Sequence, residues 1–241
     1  MSNFDPELPP PTGTDKLLTI VRALVAGVPL VGGSITEAWA GFFSSPLARR
    51  REAWLVQLAM AVAELLKNPG ITLESLRQND AFVSAVLTAT SIAIRTHQKD
   101  KLAALRNGAI SSVLNADISE DEQALFMRYV DDFSPWHLRV LSAFHDPNGH
   151  LQKCGVTTPW LVERDGVLWS SSNNTFLFMG QSFPELQSEH QFAGVLLHDL
   201  GVRYLIPVQQ LFKQFLPDIG PYSTITGRKF MRFIGTESKP L

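Results

Sequence analysis

The stretch from Asn79 to Asn115 reads NDAFVSAVLTATSIAIRTHQKDKLAALRNGAISSVLN, and its periodicity decides the fold class. Asp80 is a good N-cap, and Phe82, Val86, Leu87 and Ala93-Ile94 follow at helical spacing. A second helix spans Lys99 to Asn115, with Leu102, Leu105, Ala109, Val113 and Leu114 expected to face inward. Gly108 inside it weakens that helix or admits a close neighbour. Two helices joined by a few polar residues predict antiparallel packing.

The same pattern continues on both sides. Upstream, Pro46 is expected to open a helix in which Trp54, Leu55, Leu58, Val62, Leu65 and Leu66 recur every three or four residues. Asn68-Pro69-Gly70 ends it, and a short helix is expected over Thr72–Gln78. Downstream, Ser119 with Glu122 forms a capping box before Glu120–Asp131. Ser134-Pro135 then caps a helix carrying Trp136, Leu138, Val140, Leu141 and Phe144.

The flanks are less regular. Residues 1–15 contain Pro9-Pro10-Pro11 and no basic n-region, so they read as a flexible tail and not as a signal peptide. From Leu17 to Phe43 only Arg22 and Glu37 are charged. This apolar run is expected to form a helix, a Gly/Pro turn, and a second helix from Ser34 to about Phe43. Leu24, Val28, Leu30, Trp39, Phe42 and Phe43 are its candidate membrane or oligomer contacts. After Phe144, Pro147-Asn148-Gly149 marks a turn, and Arg164-Asp165-Gly166 between two apolar triplets predicts a β-hairpin. Ser188 with Gln191 is expected to cap a helix carrying Phe192, Val195, Leu196 and Leu200. Tyr204-Leu205-Ile206 and Thr224-Ile225-Thr226 read as strands, and Gly227–Ile234 as a last helix with Phe230, Phe233 and Ile234 inward. Helix, strand, long link, strand, helix is the order of a winged helix. The expected architecture is therefore mostly α: a tail over 1–15, an antiparallel helical array over 16–145, and a hairpin-containing link with a small winged-helix-like α+β subdomain over 146–241.

Composition narrows the class of function. The chain has 241 residues, 45% of them hydrophobic and 18% charged, with a net charge of −2 and a single cysteine. A disordered chain and a disulfide framework are both excluded. Residues 16–106 carry +5 and residues 107–150 carry −5, so the near-neutral total is a cancellation. One reduced cysteine fits the cytoplasm, with membrane association through Leu17–Phe43 as the alternative.

No motif supplies chemistry. Gly32-Gly33-Ser34 is not a nucleophile elbow, and no Walker loop is present. Ser170-Ser171-Ser172-Asn173-Asn174 reads as a polar turn. The pairs His145-Asp146 and His198-Asp199 are sequence neighbours, which do not face each other on a helix. His145, His150 and Cys154 flank one turn but lack four-ligand spacing. No catalytic, cofactor or metal residue is therefore assigned. Arg228, Lys229 and Arg232 are the candidate anion or nucleic-acid contacts, at the start of the last helix. The helix that would enter a DNA groove carries Gln191 and His190 but no Arg or Lys.

Several fragments together resemble the bacterial abortive-infection alpha (Abi-alpha) family. They are Asn79-Asp80 before a long helix with Lys101–Asn115 after it, Phe133-Ser134-Pro135-Trp136-His137-Leu138-Arg139-Val140-Leu141, and Leu196–Ile206 followed by Thr226-Gly227-Arg228-Lys229-Phe230. Tyr204 stands where that family's pattern has glycine. The resemblance spans about residues 46–145 and 186–235. It implies a phage-defence context and supplies no catalytic residue. The expected function is a non-enzymatic defence protein acting by protein–protein contact or homo-oligomerisation. A winged-helix DNA-binding regulator and a membrane-acting effector using Leu17–Phe43 are the alternatives, and no small-molecule substrate is indicated. The far-UV circular dichroism spectrum is expected to be helix-dominated, above the roughly one-third average of globular proteins; a strand-dominated spectrum would overturn the fold class.

Overall fold

A computed structural model describes residues 18–22, 37–156, 161–164, 167–170, 174–207 and 222–235, with backbone alone at 37–45, 161–170 and 174–177 where these are included. The protein is mostly helical, and it divides into two units. The first takes the described residues up to Asp132 together with Phe233–Gly235, and the second takes Phe133–Arg232.

In the first unit, α1 (Glu37–Leu65), α2 (Leu73–Arg77), α3 (Asp80–Arg95), α4 (Lys99–Leu114) and α5 (Glu120–Asp132) follow one another through short links. Residues 18–22 are also helical. The expected break at Ser45-Pro46 is absent, because α1 runs through Pro46. Proline there removes one backbone hydrogen bond without forcing a turn. Downstream of it, Trp54, Leu55, Leu58, Ala59, Val62 and Leu65 form one buried face. Helix α3 begins one residue earlier than a cap at Asp80 would require: Asn79 is the N-cap, its side chain accepting from the Phe82 amide at 2.9 Å. Both caps at α5 and α2 are reciprocal, Ser119 with Glu122 and Thr72 with Ser75.

The core of this unit joins α1, α3, α4 and α5. Trp54 is fully buried and its indole donates to the Thr90 hydroxyl at 2.9 Å, so both polar groups are satisfied inside the core. Of the expected inward residues of α4, Leu105 and Ala109 are buried, whereas Leu114 at the last turn is exposed. Gly108 admits the close neighbour: a Cβ there would lie 2.7 Å from the Phe233 ring. Lys101 is largely buried and donates to the Asp131 carbonyl at 2.7 Å, closing the C-terminal end of α5. Burial pushes its ammonium below the usual lysine range, while Asp131 and Asp132 oppose that shift.

The second unit holds α6 (Pro135–His145), α7 (Pro147–Lys153), a β-hairpin of β1 (Leu161–Arg164) and β2 (Val167–Ser170), α8 (Asn174–Ser182), a 3-10 turn (Pro184–Leu186), α9 (His190–Val202) and α10 (Ile225–Phe233), whose last residue belongs to the first unit. The hairpin is antiparallel, with Val162 opposite Trp169. Pro147-Asn148-Gly149 is not a free turn but the first turn of α7: Asp146 is its N-cap, accepting from the Gly149 amide at 3.0 Å, and Pro147 occupies the first helical position.

The winged helix is not present among the described residues. Tyr204-Leu205-Ile206 is a helix-terminating turn, and Ile225 already opens α10. The Leu205 amide bonds back to the Leu200 carbonyl at 3.0 Å and the Tyr204 amide to that of Gly201 at 2.9 Å, with Tyr204 at φ 56°. That is a Schellman-type stop, which needs a left-handed residue and leaves no extended strand. The link over 208–221 lies outside the described residues. Thr224 alone makes the described bonds where a ladder was expected, its amide donating to the Leu205 carbonyl at 3.0 Å and its hydroxyl to the Tyr204 carbonyl. Gly227 is required at this point, since a Cβ would collide with the Leu205 carbonyl oxygen.

The expected Ser188–Gln191 box is also absent. The N-cap is Glu189, without a side-chain cap bond. Helix α9 buries Ala193, Leu196, Leu197 and Leu200, and Phe192 and Val195 face outward. Phe230, Phe233 and Ile234 are buried as the last helix requires. Trp54→Ala is expected to lower the unfolding free energy by about 3–5 kcal/mol, since it empties the core and strands the Thr90 hydroxyl. A thermal-melt shift near zero would place Trp54 outside the cooperative core.

Candidate functional site

Among the described residues of the second unit, a polar arrangement grows from the start of α6. Ser134 is the N-cap and Pro135 the first helical residue. Three positions on, His137 folds back over the cap. Its Nδ1 accepts from the Ser134 amide at 3.1 Å and lies 2.9 Å from the Ser134 hydroxyl. The amide is always a donor, so Nδ1 is the unprotonated nitrogen and Nε2 carries the proton. Nε2 then donates to Asp199 Oδ2 on α9, at 3.3 Å. This is a capping box with histidine in the place usually taken by Glu or Gln.

Around it the rings are ordered. Phe133 stacks on the His137 imidazole at 4.8 Å and 4° between planes, and meets Phe230 edge-on at 6.1 Å. The Arg203 guanidinium sits 5.1 Å from the centre of the Phe133 ring. Phe133 is fully buried and His137 nearly so.

Ser134, His137 and Asp199 thus stand in the order nucleophile, base, acid. Their chemistry is nevertheless that of a cap. The lone pair a base would use already receives the Ser134 amide, so it is not free to take the hydroxyl proton. Sequence reading assigned His137 no role and paired Asp199 with its neighbour His198. The spacing Ser134-x-x-His137 was the one available signal.

A second cluster lies along the other side of α6. The Arg139 guanidinium covers the Trp136 ring at 4.1 Å and reaches Glu185 at 3.3 Å. The Glu185 carboxyl is held below the usual range by its own backbone amide and then by Arg139. Trp136 meets Phe183 edge-on at 5.9 Å. His150 leans on Phe183 at 5.2 Å, and its Nε2 is 3.7 Å from the Cys154 sulfur. Burial holds the His150 imidazole below its ordinary value.

The other candidates are dispersed. His145 does not join His150; its Nδ1 bonds the Ser223 hydroxyl at 2.8 Å. Among the described residues no three His, Cys, Asp or Glu gather to hold a metal ion. Arg228 donates to the Ser223 carbonyl at 3.0 Å, which ties it to the start of its own helix. Lys229 is half-buried and Arg232 exposed. Leu24, Val28 and Leu30 lie outside the described residues, as do the side chains of Trp39, Phe42 and Phe43. No described helix is long and apolar enough to cross a membrane.

His150 generates a pH prediction. Its folded pKa is depressed, so it adds stability above its ordinary value of 6.5 and loses it as pH falls through the lowered value. The melting temperature of the wild type should therefore drop more between neutral and mildly acidic pH than that of His150→Gln. Parallel pH profiles for the two proteins would contradict this.

Comparisons with protein-family models, with curated proteins and with solved structures find no match to this chain.

Proposed function

We propose that this chain is a non-enzymatic component of an abortive-infection type of phage defence, and that it works by contact with a protein partner. The defence context rests on the sequence resemblance described above. The mode of action rests on one structural observation, the outward face of α9. Phe192, Val195 and Val202 are 38%, 52% and 58% exposed along one side of this helix. Burying such residues against a partner removes apolar surface from water.

The chemistry of that face favours protein over nucleic acid. His190–Val202 contains no Lys or Arg, and Glu189 and Asp199 stand along it. Phosphate would be repelled there. A protein surface that is apolar at its centre and basic at its rim complements it. The DNA-binding alternative also has less to stand on once Tyr204–Ile206 is a turn, because a wing is built from strands.

The test is a plaque assay on cells carrying the gene, with the double variant Phe192→Asp/Val195→Asp beside the wild type. Protection by the wild type should be lost in the double variant while its melting temperature is kept, since both positions are exposed. Equal protection by both proteins would sink the contact surface. Unchanged phage sensitivity across a broad panel, with the wild-type gene present, would sink the defence role.

A further inference from the structure

We propose that the outward face of α9 meets the same face of a second copy of this chain, with the two helices antiparallel about a two-fold axis beside Val195. This rests on the contact reading above and names its partner. The two ends of α9 carry opposite charges. Glu189 is its exposed N-cap and Arg203 its half-buried C-cap. Between them lies no Lys or Arg, and the one carboxylate is that of Asp199, which accepts from His137 at 3.3 Å.

Those charges suit a copy of the same helix turned end for end. Set opposite the partner's Arg203, Glu189 forms an ion pair at one end, and the two-fold axis repeats it at the other. A parallel pair would instead set acid on acid and base on base, and would align the two helix dipoles unfavourably. Arg203 lies 5.1 Å from the centre of the Phe133 ring. A guanidinium that covers a ring still directs N–H donors from its edge to a carboxylate.

The same register brings apolar side chains together. It places the axis midway between Glu189 and Arg203, so Val195, 52% exposed, meets the partner's Val195. Phe192 and Val202 extend the stripe on either side of it, at helical spacing. Gly194 falls opposite the partner's His198, and His198 is exposed. A Cβ at Gly194 would meet nothing within 4 Å, so this gap lies open to the incoming side chain. One helix face of 13 residues is a small contact, below the about 1,200 Å² of a standard stable complex, so association is reversible.

The experiment is sedimentation velocity on the full chain, over about 1–200 µM. The wild type should pass from monomer to dimer, and Phe192→Asp/Val195→Asp should stay monomeric. Glu189→Arg and Arg203→Glu should each weaken self-association about tenfold or more, since like charges then meet at both ends. An equimolar mixture of the two should associate again, because each restores the other's ion pairs. Should Arg203→Glu fail to fold, Glu189→Arg beside the wild type decides alone. A monomeric wild type throughout the range would overturn the second copy as partner, and so would a dimer that Phe192→Asp/Val195→Asp or Glu189→Arg leaves unchanged. The contact reading fails separately: beside a monomeric wild type, loss of phage protection in the aspartate variant supports contact with another protein, whereas unchanged protection when the dimer is lost sinks that reading alone.

Discussion

The stack of Phe133 on His137 is the contact around which the second unit is organised. One buried ring touches the start of α6 through His137, the last helix through Phe230, and the end of α9 through Arg203. A flat stack at 4.8 Å leaves the imidazole one plane in which to lie. In that plane one nitrogen meets the Ser134 cap and the other meets Asp199. Helix α9 is thereby fixed in rotation as well as position: Leu196 and Leu200 point to the core, and Phe192, Val195 and Val202 point away from it. The exposed apolar face is a consequence of where Asp199 is held.

The polar cluster at the start of α6 serves as a helix cap. Ser134 has a cap to make and His137 has both nitrogens engaged. Freeing either would unfasten the helix that positions it. The basic residues near the C-terminal helix are similar, with Arg228 closing its own N-terminal turn. Arg228, which the sequence offers for anion binding, is engaged by the fold, and the outward side of α9 carries Phe192, Val195 and Val202.

The helical array was legible because its signals are local. Apolar residues every three or four positions, Ser119 with Glu122 and Ser134-Pro135 all act within one turn of the chain. The failures have particular causes. Helix α9 is apolar on most sides, so period alone does not choose its buried face or show that Phe192 and Val195 lie outward. Tyr204-Leu205-Ile206 has strand composition, but the left-handed backbone at Tyr204 turns it into a helix stop. Glycine would adopt this conformation without strain. Pro147-Asn148-Gly149 reads as a turn, although Asp followed by Pro is also a helix start. The His137–Asp199 bond spans 62 residues, and no local signal announces it.

The central claim is that His137 and Asp199 act as a pair in fixing α9. A double-mutant cycle with His137→Gln and Asp199→Ala, read by urea unfolding, measures it directly. The two substitutions should be non-additive by about 1 kcal/mol, the usual net worth of one such hydrogen bond. Additivity within about 0.3 kcal/mol would mean that the two residues are neighbours without being coupled, and that something else sets the rotation of α9.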